Sequence, residues 1–282
     1  MSECTHDCSS CGQSCESRTQ PESLLEKPHE QSHIRKVIGV CSGKGGVGKS
    51  MVTALLAVLA RRQGLKVGIL DADITGPSIP RAFGLANKAT GTEEGIYPVR
   101  TTTGIQVMSL NLLLDNDTDP VVWRGPIIAG AVKQFWTDVI WGDLDILFID
   151  MPPGTGDVML TVFQSIPVDA AVLVTTPQEL VGMIVEKALK MTEMMNIPTI
   201  GLVENMSYAV CPGCDTHIDV FGESRVDAMA ETYKIPHAAR LPIDPKLSSG
   251  VDRGMVELFS GDWLDALIDA IVDLPVKAEA GV

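Results

Sequence analysis

The sequence predicts an α/β fold, a mostly parallel central sheet with helices on both faces. Three observations carry that expectation. Short β-rich apolar runs alternate with helical stretches along the chain. Apolar residues make up 45% but aromatic residues only 5%; such a core is built mostly of aliphatic side chains, as where parallel strands are buried on both faces. The 282 residues suit one large domain with a short appendage.

Residues 1–33 are polar and cysteine-rich, with Leu24 and Leu25 their one aliphatic pair. They bury too little apolar surface to fold alone and read as a flexible arm ahead of a domain spanning 34–282. In that domain, 36–41 (KVIGVC) is a buried strand, 48–63 a helix around TALLAVLA, and 66–70 (KVGIL) the next strand. Two strands are expected around 97–100 and 105–110, a helix over 126–139 and a strand at 145–149 (DILFI). The run 170–175 (AAVLVT) is a strand, with a helix over 179–195 behind it. Later strands fall at 198–203 and 238–241, and later helices near 224–233 and 263–272.

Charge and hydropathy exclude some classes of function. A net charge of −14 argues against a protein that neutralises nucleic-acid phosphates. No apolar run approaches the ~20 residues needed to span a bilayer. The opening MSECTHDCSS lacks the basic and apolar regions of a secretory signal, so a cytoplasmic protein is expected.

Residues 43–50, GKGGVGKS, satisfy Gly-x-x-x-x-Gly-Lys-Ser between a strand and a helix. Gly43, Gly45, Gly46 and Gly48, with Lys44 and Val47 between them, let backbone N–H groups curl around phosphate oxygens at a helix N-terminus. Lys49 reaches the β- and γ-phosphates, and the Ser50 hydroxyl ligates Mg²⁺. Two acidic loops follow strands. DADITGPSIP puts Asp71 and Asp73 at a strand's C-terminal end, where open α/β sheets bind ligands. DMPPGTGD begins with Asp150 after four apolar residues, as a Walker B carboxylate holding Mg²⁺ does. Its prolines and glycines form a loop able to sense the γ-phosphate, and Asp157 either sets that loop or caps the next helix. With no Asn-Lys-x-Asp guanine signature, ATP is the expected nucleotide.

Seven cysteines are unevenly placed. Cys41, alone in an apolar strand, reads as a small buried hydrophobe. Cys211 and Cys214 form Cys-Pro-Gly-Cys, whose tight turn brings two sulfurs to one side. A complete metal site needs more ligands, and a two-fold dimer would supply four thiolates for a bridging [4Fe–4S] cluster. A zinc half-site with His217 and a redox dithiol stay open beside it. Cys4, Cys8, Cys11 and Cys15 lie close enough to wrap one cluster, with zinc the competitor.

The second lysine of GKGGVGKS, Lys44, resembles the deviant Walker A motif of the class that includes MinD, ParA, the nitrogenase iron protein and Mrp/ApbC proteins. That resemblance implies that Lys44 crosses a dimer interface to the partner's nucleotide, that Asp73 orients the attacking water, and that Asp71 lies near Mg²⁺. It also implies that Asn205, in GLVENMS, contacts the base and that LPIDP, with Pro242, packs beside adenine. GKGGVGKS, DADITGPSIP, DMPPGTGD, GLVENMS followed by CPGC, and VFGES together resemble the Mrp/ApbC iron–sulfur carriers over roughly residues 34–260. Asp215 stands where that family often has glycine. The four-cysteine arm is similar to that of the cytosolic iron–sulfur scaffold branch, with tighter spacing. The implied protein is an ATP-hydrolysing homodimer that passes clusters to apoproteins and binds neither nucleic acid nor membrane. The rival is a MinD- or ParA-type positioning ATPase, but the tail DWLDALIDAIVDLPVKAEAGV is acidic where a membrane anchor would be basic, and is expected to pack on the core.

Overall fold

The computed structural model describes residues 24–73, 78–114, 125–178 and 181–276. Cys4, Cys8, Cys11 and Cys15 lie outside the described residues.

The strands of the main sheet are β1 (Val37–Ser42), β2 (Val67–Asp71), β3 (Val99–Arg100), β4 (Gln106–Ser109), β5 (Ile146–Asp150), β6 (Ala170–Thr175), β7 (Thr199–Val210), β8 (His217–Ile218) and β9 (His237–Pro242). Their order is β8-β7-β6-β1-β5-β2-β4-β3, with β9 also paired to β7. All pairings are parallel except β7 with β8 and β3 with β4. Helices α1 (Lys49–Arg62), α2 (Ser78–Ala82), α3 (Gly125–Thr137), α4 (Asp157–Ser165), α5 (Val181–Met194), α6 (Val226–Tyr233), α7 (Pro245–Asp252) and α8 (Asp265–Asp273) cover both faces.

The covering is written in the strands. β1, β2, β5 and β6 are buried along their whole length, because alternate residues serve opposite cores. Ile38, Val40, Ile69 and Phe148 face the core that holds α1 and α8. Val37, Cys41, Leu70 and Leu147 face the one that holds α3, α4 and α5. α1 is buried on nearly every side, which its run TALLAVLA permits without a polar face. The acidic tail helix α8 sinks Leu267, Ile268 and Ile271 into the first core, as its pattern predicts. Among the described residues no helix is long and apolar enough to cross a membrane.

Strand positions at the sheet's centre agree with the sequence pattern, and three features differ. β7 runs twelve residues, far beyond the expected 198–203. Helices α2, α4 and α7 were not anticipated. The domain boundary expected at 33/34 has structure on its N-terminal side. Glu26 N donates to Ser165 O at 2.8 Å, Trp136 Nε1 donates to Glu26 O at 2.9 Å, and Lys133 pairs with the Glu26 carboxylate at 2.5 Å. His33 and Ile34 then pair with Asp143 and Leu144 in a two-stranded ribbon. Polar contacts hold this stretch, which is why apolar patterning did not reveal it.

Ser32 is the buried fastener of that strap. Its Oγ donates to Val139 O at 3.1 Å and accepts from Trp141 N at 2.9 Å. Ser32→Ala removes both bonds and leaves Trp141 N only its longer bond to Val139 O at 3.2 Å, so a loss of about 1–3 kcal/mol is expected, read as a lower denaturant midpoint at unchanged slope.

Candidate functional site: a phosphate loop and a cysteine hairpin

Three adjacent strands deliver the first site. β1 leads into the glycine loop, β5 ends at Asp150 and β2 at Asp71, and Asp150 stands in register with both Val40 and Asp71. Gly48 begins α1 in the left-handed region, φ +82°, with no side chain capping the helix. The first-turn N–H groups of α1 are thereby left for an anion. Gly46 also has positive φ, +77°.

Asp150 is buried, and its carboxylate is satisfied from one side. Lys49 Nζ donates to Oδ1 at 2.8 Å, Thr53 Oγ1 to Oδ1 at 2.9 Å, and Ser50 Oγ to Oδ2 at 2.6 Å. Lys49 also lies 3.4 Å from Asp73 Oδ2. Burial pulls the Lys49 ammonium down, but Asp150 and Asp73 outweigh it and hold its pKa above the ordinary lysine value, so the group stays charged. Asp71 has the opposite balance. Burial, with Asp150 beside it, pushes its carboxyl well above the usual carboxylate range against the pull of Lys49 and Ser109. Ser109 Oγ donates to Asp71 Oδ2 at 2.9 Å and Asp73 N to Oδ1 at 3.1 Å.

Lys49, Ser50 and Asp73 border an open cleft of about 380 Å³. Its walls include the loop from Lys44 to Ser50, with Asp73, Pro153 and Val251. Asp150, buried, holds two of those wall residues, Lys49 and Ser50. The acidic loop after β5 is tied to the glycine loop's root, since Gly154 N donates to Ser42 O at 2.8 Å. Asp157 begins α4, where a carboxylate complements the helix dipole. Lys44 Nζ donates to Gln178 Oε1 of its own chain at 2.6 Å.

Asn205, expected just beyond a strand, lies inside β7; it is buried, and its Nδ2 donates to Val47 O at 2.9 Å in the glycine loop. Its amide supports the loop's backbone. Pro242 is buried at the end of β9, in register with Tyr208. Thr53, Ser109 and Gln178 were missed. Thr53 was findable, since it sits one turn after Lys49 on the same helix face.

Cys211 and Cys214 occupy a second place, the tip of a hairpin. β7 pairs with β8 through Ala209–Ile218 and Val210–His217, and CPGCDT joins them. Cys211 N donates to Thr216 O, and Asp215 N to Cys211 O, both at 2.9 Å. Asp215 has φ +55°, a left-handed conformation in which glycine is the easier residue. Cys211 is half-buried and Cys214 exposed. The Thr216 hydroxyl, then the Thr216 backbone and the Cys211 thiol, lower the pKa of Cys214. Burial instead pushes the Cys41 thiol up to about 12, as an inert core residue requires. Among the described residues no three His, Cys, Asp or Glu side chains gather to hold a metal, so His217 does not join the pair. It stacks on Tyr208, centroids 4.2 Å apart.

A phosphate loop after the central strand, a lysine on a buried carboxylate, and helices on both sheet faces define a P-loop nucleotide-binding protein. The chain belongs to the family described as ParA: NUBPL iron-transfer P-loop NTPase, which it matches over residues 33–271. It is 43% identical to an iron-sulfur cluster carrier protein of Methanocaldococcus jannaschii over 90% of both chains. It is 39% identical to the cytosolic Fe-S cluster assembly factor CFD1 of Kluyveromyces lactis over 91% of this chain and 95% of that one. Among solved structures, a nucleotide-binding protein of Archaeoglobus fulgidus in complex with ADP superposes with TM-score 0.75 at 48% identity, over 82% of this chain and 91% of that one. MinD of Pyrococcus horikoshii, at 21% identity and TM-score 0.55, covering 85% of this chain and 95% of its own, shares the fold alone.

A Cβ on Gly48 would lie 2.2 Å from Asn205 Nδ2, at a φ that L-residues avoid. Gly48→Ala should therefore abolish ATP binding in equilibrium dialysis. Gly130→Ala, in open space on α3, should bind as wild type and gain roughly 0.5–1 kcal/mol of stability.

Proposed function

We propose that this protein is an ATP-hydrolysing carrier that holds a [4Fe–4S] cluster as cargo between two copies of itself and passes it to apo iron–sulfur proteins in the cytoplasm. The observation that carries the reading is the Cys211–Cys214 pair, half-buried and exposed respectively, which finds no third metal ligand among the described residues and sits on the hairpin that grows from the strand supporting the phosphate loop. Thiolates are soft ligands suited to iron–sulfur clusters, and an isologous pair of hairpins offers four. The names of the relatives, carriers and an assembly factor, favour the same cargo.

The nucleotide reading assigns each residue a task. Backbone N–H groups from Gly43 to Gly48 hold phosphate oxygens, and Lys49 neutralises the β- and γ-phosphates. Ser50, Asp150 and Asp71 form an all-oxygen donor set, which fits Mg²⁺. Bound there, Mg²⁺ would neutralise phosphate charge. Asp73 orients the water that attacks the γ-phosphorus as the bond to the β–γ bridging oxygen breaks. Lys44 leaves Gln178 to reach the partner's γ-phosphate, where a positive charge stabilises the transferring group. Cys4, Cys8, Cys11 and Cys15 hold a second cluster, with zinc as the competing occupant.

Two substitutions test the two halves separately. Lys49→Ala should keep the fold at reduced stability and load cluster, yet lose ATP turnover by about a hundredfold or more, the scale of one preorganised electrostatic donor. Cys211→Ala should keep its ATP site but lose core-site iron and sulfide after anaerobic reconstitution. Equal iron in wild type and Cys211→Ala, counted above the N-terminal arm's share, contradicts the carrier reading.

A further inference from the structure

β7 has two halves with different neighbours. Its first half lies between β6 and β9, and its last two residues leave the parallel sheet to form the cysteine hairpin. Between them the register against β9 shifts, and Met206 takes φ +57°. At this break Asn205 reaches Val47 O under the glycine loop. Its neighbours Glu204 and Ser207 are also buried, and both are tied to a different element, β9.

The tie is Arg240. Its Nε donates to Ser207 Oγ at 2.9 Å, and Ser207 Oγ in turn donates to Glu204 Oε1 at 2.7 Å. Its guanidinium carbon lies 5.6 Å from the centre of the Tyr208 ring, which stacks on His217. Its Nη2 lies 3.8 Å from Asp219, just past β8. One planar side chain therefore touches the β7 arm of the hairpin at Ser207 and Tyr208 and the returning arm at Asp219. Arg240 holds Ser207, and Ser207 is the donor that the buried Glu204 carboxylate accepts from; a carboxylate without compensation in the core is costly. Lysine could keep the charge but not the fork and the stacking together.

We propose that Arg240 is the positioning residue of the cysteine pair, and that through it β7 couples the phosphate loop, held at Asn205, to the hairpin that holds the cargo. The inference rests on the carrier reading. Arg240 touches no nucleotide, metal or sulfur; it fixes the angle at which the hairpin leaves the sheet. A shift of the glycine loop that pulls on Asn205 moves the strand at its weakest point, the break at Met206, and Arg240 carries that movement to both arms.

The experiment uses the full chain, reconstituted anaerobically, with release of iron to a ferrous chelator followed with and without MgATP. Wild type should release at different rates in the two conditions. Arg240→Ala should load cluster, release it roughly fivefold faster or more, and show a MgATP ratio near one, the loss of a coupling of ordinary size. Its ATP turnover should stay within about twofold of wild type. Arg240→Lys should restore part of the retention and less of the MgATP ratio, and it carries the test if the alanine variant fails to fold. A wild-type MgATP ratio retained in the Arg240 variant, or a wild type indifferent to MgATP, overturns the proposal. Failure of Cys211→Ala to lose core-site iron would instead remove the carrier reading itself.

Discussion

A carboxylate with no surface of its own organises this molecule. Asp150 is buried at the end of β5, so its charge must be met inside the protein, and three residues from one helix face meet it. Lys49, Ser50 and Thr53 can do so only because α1 starts beside β1 and β1 lies in register with β5. Breaking such a pair by removing one partner leaves a buried charge uncompensated, a loss of roughly 3–5 kcal/mol. The start of α1 and the ends of β1 and β5 thus meet at one electrostatic requirement, and the same groups are the ones a nucleotide needs.

Much of this was legible in the residues. The glycine loop reveals itself because its steric and hydrogen-bonding needs confine it to a few residue types at fixed spacing. The central strands reveal themselves because both faces are buried, which leaves unbroken aliphatic runs such as AAVLVT. The same logic explains what stayed hidden. Residues 204–208, ENMSY, read as a loop because a strand is not expected to bury a glutamate, an asparagine and a serine. Here Asn205 finds Val47 O and Ser207 finds Arg240, both distant in sequence, while Glu204 accepts from Ser207 itself. Neither partner can be found by periodicity. α7 had a signal that went unused, Asp244 before Pro245, whose carboxylate accepts from Lys246 N. α4 was absorbed into the loop that precedes it.

The two functional regions are usefully considered as one strand with two ends. A cysteine pair on a free hairpin would have its geometry set by the turn alone. This hairpin grows from a strand whose middle is pinned on one side to the phosphate loop and on the other to β9. Its contrast with Cys41 is instructive: that thiol, buried in β1, is held far from ionisation, whereas Cys214 is exposed and its thiolate is favoured by Thr216. Reactivity follows environment rather than residue type.

The account stands on the idea that two chains together own a ligand set that neither owns alone. Native mass spectrometry of the anaerobically reconstituted core, residues 24–282, measures this directly, because it reads iron, sulfide and chain number in one species. The account predicts a dimer carrying one four-iron, four-sulfide mass, which separates into metal-free monomers when the cluster is lost. A cluster carried by single chains, or a dimer that binds none, would contradict it.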